Sequence, residues 1–247
     1  MLRGKTAIIT GARRGIGRAI LEEFARRNCA VFACLRAPDA EFESFASSLA
    51  LECRTEIRFL YFDLSDSAAI KNAVASLAAR KVRVDILVNC AGVAHGGLFQ
   101  MTPVSKIREV FEINLFSQME LTQAVLKIMS RQKSGCIINF ASVFGVDNYA
   151  GQSAYGASKA ALIRWTQTLA AEVGVFGIRV NALAPGLTET DMASLMDEKT
   201  RAKMLEHSAL KRSASPSDVA KVAAFLASDD ANFINGSVIR TDGGLVL

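Results

Sequence analysis

The sequence predicts one α/β domain over residues 1–247: a doubly wound sheet of about seven mostly parallel strands, with helices on both faces. Three observations predict it. An apolar run, Thr6-Ala-Ile-Ile-Thr, leads straight into a glycine-rich turn and a helical repeat. Short apolar runs then alternate with helix-periodic segments along the chain. Late in that alternation, the run Cys136-Ile-Ile-Asn-Phe-Ala is followed by Ser142, and Tyr155 and Lys159 stand four apart at the head of the next helical segment.

The first strand ends in Gly11, Gly15 and Gly17, spaced Gly-x-x-x-Gly-x-Gly, before a helix from about Ile16 to Arg27. Glycines let backbone approach a pyrophosphate, and a helix N-terminus offers free N–H groups and a positive dipole end. A glycine turn alone can be a mere tight connection. Its place at the start of a doubly wound pattern makes it a cofactor signal. Ala30-Val-Phe-Ala-Cys-Leu reads as the second strand, with Arg36 at its end, where an NAD site usually places an acid. Asp39 comes only after Pro38. Arg36 with Arg14 suits a 2′-phosphate through charge-assisted hydrogen bonds, so the pattern favours NADP(H) over NAD.

A helix follows over 41–50, then a third strand from Glu56 to Phe62 running into Asp63-Leu64. Asp63 reads either as the cap of a helix from Ser67 to Arg80 or as part of the turn before it. The fourth strand and its exit are Asp85-Ile-Leu-Val-Asn89-Cys90-Ala91-Gly92. Cys90 reads as a small buried thiol. After a loop carrying His95, one long helix is predicted from Pro103 to Ser130, with Asn114 mildly unfavourable in its middle. Its apolar face, including Leu121, Val125 and Ile128, is core or subunit interface. The Cys136 run is the fifth strand, and helical spacing resumes from Ala160 to Val173. Ile178 to Ala184 is the sixth strand, stopped by Pro185-Gly186. A polar segment over 191–212 carries Met192, Met196 and Met204. Ser215-Pro-Ser-Asp opens another helix with a cap, an N1 proline and an early acid. Ser237-Val-Ile-Arg gives the last strand, and Leu245-Val-Leu247 is an apolar tail.

Composition narrows the class. At 247 residues and 51% hydrophobic content the chain can fill one core, and no linker-like run divides it. A net charge of +5 suits an anionic cofactor or an acidic carrier, and equally a solvated surface. No basic run interleaved with aromatics points to nucleic acid. No segment approaches the ~20 apolar residues of a membrane span, and the N-terminal run is too short for a signal peptide. Five cysteines without a CxxC pair fit a reducing, cytoplasmic setting. Two histidines offer no metal-ligand cluster.

The chemistry concentrates at one strand end. Ser142 follows the fifth strand, and Tyr155 and Lys159 share a helix face. In open α/β sheets ligands gather at the carboxyl ends of strands. A free phenol ionises near ~10, and a nearby ammonium lowers that value. Tyr155 is then placed to give a proton to a carbonyl oxygen, or take one from an alcohol, while Ser142 holds the same oxygen. Tyr-x-x-x-Lys by itself also describes a surface pair. The serine thirteen residues upstream and the glycine turn raise it to a catalytic set.

Ser142, Tyr155 and Lys159, together with Thr10-Gly-Ala-Arg-Arg-Gly-Ile-Gly17, resemble the short-chain dehydrogenase/reductase family, from about Lys5 to Gly244. Within it the likeness is to β-ketoacyl-[acyl-carrier-protein] reductases, supported by 85–92, 185–192 and 222–229. The resemblance implies a single-domain Rossmann fold. It implies cofactor contacts from Gly11, Arg13, Arg14, Gly15, Ile16 and Gly17 in the turn, and from Arg36. Asp63 with Leu64 would hold the adenine. At the fourth strand's exit it implies Asn89, Cys90, Ala91 and Gly92, with Cys90 standing where the family usually has a second Asn. Tyr155 and Lys159 would also touch the cofactor. At its nicotinamide end come Pro185 and Gly186, Thr188 through its backbone and Thr190 through its hydroxyl.

Asn114 would join Ser142, Tyr155 and Lys159 as a fourth catalytic residue, distorting its helix and holding a water linked to the lysine. Residues 191–212 would form a mobile substrate lid. The tail would pack in a homo-oligomer, a tetramer before a dimer. The implied reaction is NADPH-dependent reduction of a 3-oxoacyl thioester on acyl carrier protein. Of two docking cations expected near the active-site entrance, Lys133 keeps one and Phe176 replaces the other. Reductases of another carbonyl (sugar, polyketide or small secondary alcohol) stay open, as does a non-enzymatic NADP-binding sensor.

Overall fold

A computed structural model describes residues 2–194, 196 and 198–246. Seven strands form one sheet in the order β3-β2-β1-β4-β5-β6-β7. They are β1 Thr6–Thr10, β2 Ala30–Leu35, β3 Ile57–Tyr61, β4 Ile86–Asn89, β5 Gly135–Phe140, β6 Ile178–Pro185 and β7 Val238–Thr241. Every pairing is parallel, so each connection crosses over through a helix. The strand order reverses between β1 and β4, which opens a crevice at their carboxyl ends.

The helices are α1 Gly15–Arg26, α2 Ala40–Cys53, α3 Ser67–Ala79, α4 Val104–Phe111, α5 Ser117–Gln132, α6 Ser153–Val173, α7 Asp191–Ser194, α8 Glu198–His207 and α9 Pro216–Ala227. Strand alternation sends neighbouring side chains into two separate cores. Ile9, Ile138 and Phe140 face α1 and α9, where Phe24 packs against Ala220, Ala223 and Ala224. Ile8 and Ile137 face the other layer, with Ile70 and Leu77 of α3, Leu121 and Val125 of α5, and Leu169 of α6. Small residues on α9 let α1 approach closely.

The predicted long helix over 103–130 is realised as α4 and α5 joined by a wide turn over Glu112–Phe116. There the N–H and the hydroxyl of Ser117 both bond the carbonyl of Glu112, five residues back. The α9 cap forms as the sequence indicates: Ser215 accepts from the Asp218 N–H, and the Asp218 carboxylate accepts from the Ser215 N–H. Asp63 does not cap α3. Asp66 does, accepting from the N–H groups of Ala68 and Ala69. No helix among the described residues is long and apolar enough to cross a membrane.

Leu245 of the tail is already buried within its own chain, against Val143 and Met204. Leu247 lies outside the described residues, as do positions 195 and 197 of the expected lid. The rest of that segment holds α7 and α8.

Candidate active site

The glycine turn is built for close approach. Gly11 has φ +69°, and a Cβ there would sit 3.0 Å from the Ala91 Cα. A Cβ on Gly17 would run into the carbonyl oxygen of Gly11. Gly15, also left-handed, faces the Thr190 methyl at 3.3 Å. Arg14 precedes α1 in extended conformation and makes no side-chain cap. The first-turn N–H groups are thus left to an anion, and the cradle fits the pyrophosphate of a nicotinamide dinucleotide. Ile16 packs beneath against the first core.

Three arginines converge on this mouth, each held by a carboxylate. Arg36 Nε lies 3.1 Å from Asp63 Oδ2, and Arg14 Nη1 lies 3.1 Å from Asp191 Oδ2. Arg13 pairs with Asp39. Asp63 also accepts from the backbone and the hydroxyl of Ser65, and these bonds, with Arg36 adding its charge, hold its carboxyl below the usual range. Leu64 packs inward against the second core.

The exit of β4 is fixed by residues the sequence reading did not assign. Thr10 Oγ1 accepts from the N–H groups of Cys90 and Ala91, both at 3.0 Å. Gln118 Nε2 donates to the Ala91 carbonyl at 2.8 Å. Thr10 was adjacent to the glycine motif. Gln118 has no local signal, because only folding brings it to Ala91. Asn89, at the end of β4, leaves only its backbone toward the cofactor cradle. Its amide points into the core, bonding Thr122 at 2.9 Å and Asn139 at 2.8 Å. Burial pushes the Cys90 thiol up to about 12, so it is inert as a thiolate.

Asn114, Ser142, Tyr155 and Lys159 come together at the carboxyl ends of β4 and β5. Asn114 is fully buried in the wide turn. Its Oδ1 accepts from Val93 N–H, and its Nδ2 donates to Val93 O and to Ser158 Oγ. Ser158 is the residue before Lys159, so the amide ties the α4–α5 turn to α6. A Cβ on Gly92 would lie 3.1 Å from Asn114 Oδ1 and 3.5 Å from Lys159 Nζ, which brings amide, ammonium and the β4 exit to one spot. Lys159 Nζ donates to the Phe140 carbonyl at 2.7 Å. Ser142 accepts from Phe144 N–H, and its hydroxyl lies by the Tyr155 phenol, where it favours the ionised form. Two glycines permit this packing: a Cβ on Gly145 would press the Lys159 backbone at 2.8 Å, and one on Gly156 the Phe144 carbonyl at 2.6 Å.

Burial pushes the Tyr155 phenol up to about 12, opposed by the Ser142 hydroxyl beside it. Burial also pushes Lys159 down to about 8, where the ammonium still predominates at neutral pH.

Gly186 sits where a Cβ would meet Asp242, just after the Pro185–Thr241 pairing of β6 and β7. Thr188 Oγ1 donates to Gly186 O, and Thr190 Oγ1 accepts from Ala193 N–H at the start of α7. Above the trio lies an apolar roof of Val143, Met204 and Leu245, with Phe144, Leu187 and Met196. Lys133 and Phe176 do not flank this entrance. They precede β5 and β6 at the amino ends, the opposite edge of the sheet from Ser142.

Residues 11–246 match the family model described as enoyl-(acyl carrier protein) reductase. The chain is 36% identical over 244 residues to 3-oxoacyl-[acyl-carrier-protein] reductase FabG of Escherichia coli (strain K12), covering 99% of this chain and 98% of that protein. It is 37% identical over 249 residues to the protein of the same name from Thermotoga maritima, covering 100% and 99%. Among solved structures it is similar to one described as an NAD(P)-dependent gluconate 5-dehydrogenase from Beutenbergia cavernae, with bound NADP at low occupancy. That likeness has a TM-score of 0.92 and 33% identity, covering 98% of this chain and 97% of the other. A second, described as a gluconate dehydrogenase from Agrobacterium tumefaciens, gives 0.93 and 28%, covering 100% and 98%.

Proposed function

Because this chain belongs to the short-chain dehydrogenase/reductase family and is an oxidoreductase acting on CH–OH groups, we propose that it reduces a 3-oxoacyl thioester on acyl carrier protein, using NADPH. The observation that carries the reading is the Tyr155 phenol set beside Ser142, with the Phe144 ring edge-on to it and an apolar cluster alongside. NADPH, when bound, supplies the hydride. Every other part is played by the chain. Tyr155 keeps its proton at neutral pH, which is the form a carbonyl reduction needs. Ser142 Oγ orients the carbonyl oxygen toward that proton. Lys159, a short reach from the β4 exit, would grip the nicotinamide ribose and, as an ammonium at neutral pH, ease proton loss from Tyr155. Asn114 holds the turn that closes the back of the site and supports proton resupply to Lys159.

The arginines support NADPH over NADH. Arg36 follows β2, where a 2′-phosphate would take over from Asp63 as its partner, and Arg13 and Arg14 flank it. The roof of Val143, Phe144 and Met204 suits an acyl chain better than a polyol. A second reading, oxidation of a sugar acid, is favoured by the likeness to the two gluconate dehydrogenases. Because Lys133 and Phe176 sit at the opposite sheet edge, a carrier held there would serve the site of another subunit, within the homo-oligomer we infer. We place this activity in fatty-acid-type synthesis in the cytoplasm.

The test is NADPH oxidation with acetoacetyl thioesters on acyl carrier protein and on a small thiol, with 5-ketogluconate and NADH as controls. Faster turnover on the protein-bound thioester with NADPH is the expected result. Turnover of 5-ketogluconate alone would replace the acyl reading with the sugar-acid one.

A further inference from the structure

We propose that Lys203 of α8 is the substrate's anion-binding residue, receiving a charged group set away from the reacting carbonyl. That group is the phosphate of a pantetheine thiol arm, which an extended chain carries well away from the thioester carbonyl, so the proposal rests on the acyl reading above.

A ladder of rings leads from Tyr155 to this lysine. Phe144 meets Tyr155 edge-on with ring centroids 6.4 Å apart, and Tyr149 lies 5.5 Å from Phe144. Lys203 Nζ stands 5.6 Å from the centroid of the Tyr149 ring. The next residue, Met204, is buried against Val143 and Leu245, so α8 is pinned and its lysine is set over the Ser142–Tyr155 segment. A cation over an aromatic face is partly desolvated and oriented without being neutralised.

Other charge at the mouth is directed elsewhere, and Arg201 of the same helix faces Thr190, Asp191 and Ser194 rather than the rings. The one acid between Ser142 and Tyr155 is Asp147, and both its oxygens are taken by Arg240, at 3.2 and 2.7 Å. Arg14 is held by Asp191 on α7. Among the described residues Lys203 has no carboxylate within ion-pair distance, while the neighbouring lid acid Glu206 engages Lys211 only through its backbone carbonyl. A substrate entering under the roof therefore passes apolar rings on its way in and meets an unpaired cation at the rim. A neutral apolar substrate would leave that cation idle.

The probes are acetoacetyl-4′-phosphopantetheine and acetoacetyl-pantetheine, which differ by one phosphate, with wild type, Lys203→Gln and Lys203→Arg. Lys203 is exposed, so the variants should keep the wild-type melting temperature. Lys203→Gln should raise KM for the phosphorylated substrate about five- to tenfold, the size of one exposed charge-assisted bond, with kcat unchanged. KM for the neutral substrate should stay within about twofold, and Lys203→Arg should restore the phosphorylated one. Calorimetric titration of 4′-phosphopantetheine and pantetheine into the NADP-loaded protein reads the same contrast without turnover. Equal losses on both substrates, or no loss on either, overturn the proposal. If wild type turns over neither thioester, the acyl reading has failed, and the titration alone decides: equal affinity for 4′-phosphopantetheine and pantetheine in wild type overturns the Lys203 assignment.

Discussion

At the scale of single residues, two kinds of charge burial meet in the site. Tyr155 is half-buried and keeps its proton at neutral pH, so Tyr155→Phe removes the proton donor without opening a hole. Turnover should fall by at least about a hundredfold, while NADPH affinity measured by fluorescence titration changes little. A variant with wild-type rate would end the assignment. Arg36 offers a contrast, since it sits on the surface and pairs with Asp63. Arg36→Asp should weaken NADPH about tenfold or more and leave NADH nearly unchanged; equal losses would refute a phosphate grip. Lys159 carries a stability signature. Its native value near 8 lies below the 10.5 of an unperturbed lysine, so between those values the unfolded chain binds more protons. The burial penalty is fully present below pH 8, and stability of the cofactor-free protein should rise from there toward 10.5. Tyr155 acts the other way from about 10 to 12, where the native state keeps its proton and stability falls. Urea melts of Lys159→Met across pH 7–10 should lack the rise. A rise equal to wild type would place its cause elsewhere.

At the scale of elements, most of what positions the site was readable and one kind of information was not. The glycine turn, Arg36 at the end of β2 and the Ser215 cap are local signals. Each declares itself through the backbone geometry or the orphan N–H groups it serves. Ser215→Ala should cost about 1 kcal/mol, read in a denaturant melt, because the side-chain acceptor of the Asp218 N–H is lost while the backbone bond to the Asp218 carboxylate remains. Gly17→Ala is expected to do worse. Its Cβ meets backbone rather than a side chain that can move, so loss of cofactor binding should accompany loss of stability. Retained NADPH affinity in that variant would contradict the cradle. The Asp63 ambiguity shows the limit. Asp63 and Asp66 both precede a helical repeat, and only the chain's path decides which of them reaches the N–H groups of Ala68 and Ala69. The α4–α5 turn is similar: Asn114 marks it, but the bond from Ser117 to Glu112 makes it.

At the scale of the molecule, the parallel sheet puts every strand's carboxyl end on one rim, so residues from the ends of β1, β4 and β5, the α4–α5 turn and α6 meet there although these elements are far apart in sequence. The same rule sends Lys133 and Phe176 to the far rim. Phe233 is fully exposed and Phe225 half so on the single chain, with Val175 exposed beside the start of β6. Apolar rings left bare in this way mark contact surfaces. Light scattering at micromolar concentration should therefore give a multiple of the 26.5 kDa chain mass, four before two. A persistent single-chain mass would reject the oligomer. The sequence by itself determined the fold class and the succession of strands along the chain. These follow from periodicity and glycine spacing, which are local; residue type and spacing marked Ser142, Tyr155 and Lys159, and resemblance alone marked Asn114. Tertiary structure alone decided that Thr10 and Gln118 hold the β4 exit, that Asn89 turns inward, and that Tyr155 and Lys159 are shifted toward their neutral forms. Those outcomes depend on what is packed against each group and how much water remains beside it, and neither is written in the spacing of residues along the chain.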